Sequence, residues 1–149
     1  MSDAPRFTPV DAGEFEALAA LRVEAMRASL ERIGRFDLER ARERLRDGFD
    51  AAHTRHVELA GERIGFFVLK AKADGLHLEH LYLRPALQGR GIGAAVLARI
   101  FAEADARALP VHVGALRGSA ANRFYLRHGF RLVAEEPFDL RYVRAPVAA

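Results

Sequence analysis

The chain has 149 residues, 23 of them basic and 20 acidic, giving a formal net charge of +3 and a pI near 9.8. Half of it is hydrophobic, 29% is charged, and cysteine and tryptophan are absent. Such a length supports one domain with a real core, and the composition excludes a disordered tail, a collagen repeat, a disulfide-stapled module, a zinc ribbon and a cysteine nucleophile.

Met1-Ser2-Asp3-Ala4-Pro5-Arg6 places an acid and a proline where a secretory signal needs basic residues and an apolar run. No apolar stretch has the length to span a bilayer, so a soluble cytoplasmic protein is expected. With no repeat and no linker, residues 1–149 read as a single domain. Arginine outnumbers lysine 21 to 2, which reads first as compositional bias.

Two helices open the chain. Asp11 and Glu14 have capping-box spacing, and Phe15, Leu18, Leu21, Ala25 and Met26 then recur on one face. After Gly34, Asp37 caps a second helix carrying Leu38, Ala41 and Leu45, ending near Gly48. Strands follow over residues 53–60 and 64–71 around a turn at Gly61, and Asp74-Gly75 turns the chain into a third strand over residues 76–83. These three form an antiparallel meander.

A long helix runs from about Arg90 to Ala108, burying Ile92, Val96, Leu97, Ile100, Phe101 and Ala104, and Leu109-Pro110 stops it. Residues 111–116 read as a strand, and the strand–helix–strand crossover makes it parallel to residues 76–83. Ser119 is the N-cap of a helix through His128, with Gly129 at its C-terminal end, and strands near 130–134 and 138–144 complete the domain. The fold class is α+β, with a mixed, mostly antiparallel sheet.

The third strand changes phase. Leu76 and Leu78 alternate, then Leu81 and Leu83, with the slip across Glu79 and His80. A strand with one buried face does this through a β-bulge, whose unpaired backbone groups can pair with an extended amide-containing ligand. A strand buried on both faces would give the same run without a bulge.

Next comes Arg84-Pro85-Ala86-Leu87-Gln88-Gly89-Arg90-Gly91-Ile92-Gly93, leading into the long helix. Glycines let the backbone turn tightly, and N–H donors at a helix N-terminus attract phosphate, with Arg84 and Arg90 at the rim. The turn is no Walker A loop, since Gly-Lys-Ser/Thr is missing, and no dinucleotide fingerprint, since Val96 stands where the third glycine belongs. A glycine-rich connection without a ligand is the plain alternative.

Three segments together resemble the GNAT superfamily of N-acetyltransferases: Leu81-Tyr82-Leu83-x-Pro85, Gln88-x-x-Gly91-x-Gly93, and Ala121-x-x-Phe124-Tyr125-x-x-x-Gly129-Phe130. They occur in the family's order and separations, over roughly residues 53 to 144. The resemblance implies a sheet whose central parallel strands splay apart, flanked by helices. It implies acetyl-CoA as cosubstrate, its diphosphate on the backbone of Gln88, Gly89, Arg90, Gly91, Ile92, Gly93 and Ala94, and its pantetheine arm along Leu81, Tyr82 and Leu83. It also implies that Tyr125 protonates the departing thiolate, although an aromatic anchor beside Phe124 and Phe130 would look the same. Many members carry asparagine seven residues before this tyrosine; here Gly118 stands there, and Asn122 is placed to take over a cofactor contact.

Acetyl transfer to an amine needs a neutral amine, an oxyanion donor and an acid for the thiolate. Without cysteine, direct attack in a ternary complex is the simpler route, with the Leu81 N–H as oxyanion donor. Glu79 and His80 are the candidate bases, each equally readable as a surface residue. Glu135, Glu136, Asp139, Tyr142, Arg22, Met26 and Arg27 read as packed or solvated surface more readily than as an acceptor site. His77 and His80, like His53 and His56, lie on opposite strand faces, so no metal is expected.

The expected function is therefore an acetyl-CoA-dependent N-acetyltransferase acting on an amine, with a non-catalytic acyl-CoA sensor as the alternative. A small nucleic-acid binder ranks last, and no membrane partner is expected; homodimers are common among proteins that resemble this one. Residues 84–131 carry a balance of +6 and the rest −3, so the basic excess lies on the segment expected to meet phosphates.

Overall fold

The computed structural model describes residues 4–32, 34 and 37–148. The opening Met1-Ser2-Asp3 lies outside the described residues. Seven strands hydrogen-bond in the order β1-β2-β3-β4-β5-β7-β6. Two compact units are distinguished: one ends its first stretch at Val68 and adds His80–Gly93, and the other comprises Leu69–Glu79 and continues from Ala94.

In the first unit, β1 (Arg6–Pro9) pairs antiparallel with β2 (Thr54–Leu59), and β2 with β3 (Glu62–Lys72). Sequence reading misses β1 because four residues are too few to show alternation and Pro9 argues against a strand. Pro9 is tolerated because β1 is an edge strand. The turn expected at Gly61 forms, with Ala60 and Gly61 both at positive φ. A register shift at Val57/Glu58, unforeseen from the alternation, interrupts β2.

Helix α1 (Phe15–Arg32) follows a 3-10 turn at Ala12–Glu14, where the Asp11 N–H donates to Glu14 Oε1 at 3.0 Å, one arm of the capping box. Its Phe15, Leu18, Ala19 and Leu21 pack with Val10, Leu45, Phe66 and Val68, while Ala25 and Met26 are only half-buried. Asp37 caps α2 (Leu38–Gly48) as expected, accepting from the Arg40 N–H at 3.2 Å. Arg22 corrects the surface reading. It is buried, donating Nη1–H to the Ala41 carbonyl at 2.9 Å and Nε–H to the Tyr82 hydroxyl at 3.1 Å.

In the second unit, the first residues of β4 (Gly75–Leu83) pair in parallel with β5 (Val111–Leu116), Leu76↔Val111 through Leu78↔Val113. That is the crossover geometry expected. β5 pairs along its whole length with β7 (Asp139–Arg144), and β7 pairs with β6 (Arg131–Glu135), which lies at the edge with every residue exposed. Gly75 has a positive φ, and a Cβ there would come 2.6 Å from the Pro110 carbonyl oxygen, so only glycine permits this approach.

Helix α3 (Ile92–Ala106) buries Ile92, Val96, Leu97, Ile100 and Ala104, with Phe101 half-buried, and Ala108 at φ +53 turns the chain out of it. Helix α4 (Ala120–Arg127) begins after Ser119, but the Ser119 hydroxyl donates to the Leu116 carbonyl at 2.8 Å and makes no cap bond. The expected left-handed glycine after α4 is present, Gly129 at φ +92. None of the described helices is long and apolar enough to cross a membrane.

Candidate active site

The glycine turn is built from the end of β4 onward. Pro85–Leu87 form a 3-10 turn, with the Leu87 N–H on the Arg84 carbonyl at 2.9 Å and the Gln88 N–H on the Pro85 carbonyl at 3.2 Å. The Gln88 side chain folds back, Nε2 donating to the Leu83 carbonyl at 3.0 Å, and so braces the turn from inside. Gly89 and Gly91 then take φ +77 and +81. A Cβ at either would meet nothing within 4 Å, so glycine is required by backbone conformation and not by crowding.

Helix α3 begins at Ile92, immediately after this turn. The first four N–H groups of any helix lack intrahelical acceptors, and here they follow an exposed Gly89-Arg90-Gly91. The result is a set of backbone donors at the positive end of a 15-residue helix dipole, with the Arg90 guanidinium beside it in sequence. Nothing acidic lies within residues 84–102, which keeps the turn receptive to an anion.

Just before the turn, the alternation of β4 is lost: Leu76 and Leu78 are buried, Glu79, His80, Leu81 and Tyr82 are all half-buried, and Leu83 is buried again. His80 Nδ1 lies 3.0 Å from the Tyr82 hydroxyl, which in turn accepts from Arg22. Two groups named from the sequence, His80 and Tyr82, thus meet directly, and Arg22, which charge patterning gave no reason to place inside, donates to the same hydroxyl.

Glu79 stands in the other unit with both lysines of the chain. Lys70 Nζ and Lys72 Nζ each lie 3.1 Å from its carboxylate oxygens. Burial pushes the Glu79 carboxyl up, but hydrogen bonds from Lys72 and Lys70 and their charges outweigh this and hold it below its ordinary value. The signal was available in the sequence: the only two lysines are spaced i, i+2 on β3 and so share a face.

Tyr125, on α4, is buried with its ring 5.2 Å from Phe130, 5.5 Å from Phe124 and 6.3 Å from Tyr142. The anchoring role and a role for its hydroxyl are therefore compatible, since the ring is held from several sides. Asn122 donates from Nδ2 to the Leu116 and Ser119 carbonyls at 2.8 and 3.0 Å, and its Oδ1 accepts from the Tyr142 hydroxyl at 2.7 Å. Tyr142 is 2% exposed, which corrects its reading as a surface residue, and burial pushes its phenol up so that it stays a donor. Gly118 has φ +78 with nothing within 4 Å of a built Cβ. Glu135 and Glu136, as read from the sequence, are exposed, engaging Arg117 and Arg141.

Residues 51–132 match the model of the acetyltransferase (GNAT) domain. No curated protein matches the chain by sequence. Among solved structures, the chain is similar to the PaiA N-acetyltransferase of Thermoplasma acidophilum in complex with coenzyme A, with a TM-score of 0.78, 17% identity, and coverage of 97% of this chain and 99% of that one. It is also similar to an acetyltransferase of Thermus thermophilus, with a TM-score of 0.75, 23% identity and coverage of 95% and 97%. A GCN5-related N-acetyltransferase of Rhodopseudomonas palustris matches with a TM-score of 0.76, 20% identity and coverage of 97% and 98%. Identities this low speak for the fold.

Proposed function

Because this chain belongs to the GNAT acetyltransferase domain family, we propose that it transfers an acetyl group from acetyl-CoA to a primary amine by direct attack. The glycine turn carries this reading: backbone donors at the start of α3, freed by left-handed Gly89 and Gly91, suit a diphosphate. The coenzyme A complex of the Thermoplasma structure supports coenzyme A as the acyl carrier.

Acetyl-CoA supplies the activated acyl group. The backbone of Gln88 to Ala94 binds its diphosphate, Leu81, Tyr82 and Leu83 pair with its amide-containing arm, and the Leu81 N–H polarises the thioester carbonyl. The amine nitrogen bonds to the acetyl carbon, the carbon–sulfur bond breaks, and the amine gives up a proton to the base. Tyr125 donates its hydroxyl proton to the departing sulfur and recovers one from solvent afterwards.

Of the two candidate bases, His80 is favoured to receive the amine proton directly. Glu79 is occupied by two ammonium groups, so its part is to hold charge near the amine or to act through water. Asn122 secures the wall carrying Tyr125, through the same helix, α4. The acidic balance outside residues 84–131 suits a cationic acceptor.

Calorimetric titration with coenzyme A tests the assignment of the turn. Saturable binding abolished by Gly91→Trp, in a variant that keeps its circular dichroism, is the expected result; undiminished binding would remove the glycine turn from the site. A non-catalytic acyl-CoA sensor would bind equally well and is separated by turnover.

A further inference from the structure

At the opening of β4, a group of side chains takes no part in the acetyl-transfer reading. His77 and His112 are register partners on the parallel strands β4 and β5, and their rings stack at 4.5 Å with an interplanar angle of 14°. Both present Nε2 to Asp74, at 2.6 Å from His77 to Oδ1 and 3.6 Å from His112 to Oδ2, and His112 Nε2 also lies 3.0 Å from the Asp74 carbonyl oxygen. One ligand atom from each of the three residues falls within 4.8 Å of the others. We propose that Asp74, His77 and His112 form a binding site for one divalent transition-metal ion of the zinc type.

The chemistry of the donor set selects the ion. Two imidazole nitrogens and one carboxylate leave water to complete four-coordination, a set that suits zinc, nickel or copper and not the all-oxygen preference of magnesium or calcium. Metal–ligand lengths of about 2.0–2.2 Å place neighbouring donors of a tetrahedral ion about 3.3–3.6 Å apart. The observed spacings of 2.6 and 3.6 Å span that range, so small rotations of the two rings and the exposed Asp74 carboxylate suffice.

The backbone under the site is fixed. Gly75 approaches Pro110 so closely that the Leu76 N–H bonds the Pro110 carbonyl at 2.9 Å, which locks the start of β4 to the start of β5 and sets the two histidines side by side. Both rings are about a quarter exposed, which leaves room for an ion to enter. Sequence reasoning paired His77 with His80 along one strand; the partner that matters is across the strands, and register brings it there.

Chelator-treated, untagged full-length chain titrated with zinc chloride tests the proposal. Calorimetry should show one zinc bound per chain, and zinc should raise the melting temperature. His77→Ala and His112→Ala should each weaken binding by about tenfold or more, and millimolar magnesium should not compete. In the unsubstituted protein, zinc should shift the imidazole resonances of His77 and His112 while those of His53, His56, His80 and His128 stay in place, a readout that needs no variant to fold. No saturable zinc binding, or zinc shifting the other histidines instead, would overturn the proposal.

Discussion

The Tyr142 hydroxyl donates to Asn122 Oδ1 at 2.7 Å, joining the centre of β7 to the first turns of α4. Asn122 spends its Nδ2 donors on Leu116 and Ser119, so one amide ties α4 to two neighbouring segments. The helix that carries Tyr125 is thereby fixed by a polar clamp as well as by aromatic packing. Tyr142→Phe should cost about 1 kcal/mol, the net worth of such a bond, and lower the melting temperature by a few degrees. Coenzyme A affinity should be unchanged, which calorimetry on the same variant checks.

Tyr125→Phe keeps the ring that packs against Phe130 and Phe124 and removes only the hydroxyl. The expected outcome is a kcat lowered on the order of 100-fold, with KM for acetyl-CoA little altered. A steady-state assay following thiol release measures both. An unchanged kcat removes Tyr125 as the acid.

Glu79 and His80 separate by pH. The Glu79 carboxyl is held below its ordinary value, so it remains ionised well into acid, and its own protonation cannot produce a loss of rate near neutrality. If His80 is the base, kcat/KM should fall as pH drops through the histidine range, and His80→Gln should abolish that limb. Glu79→Gln should keep the limb while freeing Lys70 and Lys72 of their shared partner. A limb that survives His80→Gln would remove His80 as the base.

The C-terminal strand is secured by a second charged contact. Arg144 makes a two-pronged pair with Asp105 at 2.8 and 3.1 Å, and the Val147 N–H adds a third bond to the same carboxylate. Hydrogen bonds from Arg144 and Val147 hold the Asp105 carboxyl below its ordinary value. A depressed folded pKa adds stability above the unfolded value, lost as pH falls through the folded one. Asp105→Asn should therefore lower the melting temperature at pH 7 and bring it closer to that of the parent protein as pH is taken below the carboxylate range.

Most of the architecture was legible because it rests on local chemistry. The glycines before α3 and Gly129 after α4 report backbone conformations that few other residues tolerate. The strand β1 was hidden because Arg6–Pro9 is too short to alternate and its pairing is set by β2. The conformation of the glycine turn in the candidate site was legible because it depends on backbone. The site was hidden where it depends on distant partners: Arg22 under Tyr82, Tyr142 on Asn122, and His112 beside His77 are separated by many residues, and only register and packing bring them together.

Incubating the protein with acetyl-CoA and a panel of amines, while counting free thiol and acetylated product together, tests acetyl transfer most directly. The proposed mechanism predicts that at least one amine class releases thiol in equal amount to acetylated amine, with the rate lost in Gly91→Trp and sharply reduced in Tyr125→Phe. Coenzyme A binding with no thiol release above the enzyme-free rate for any amine would contradict it and make the protein an acyl-CoA sensor.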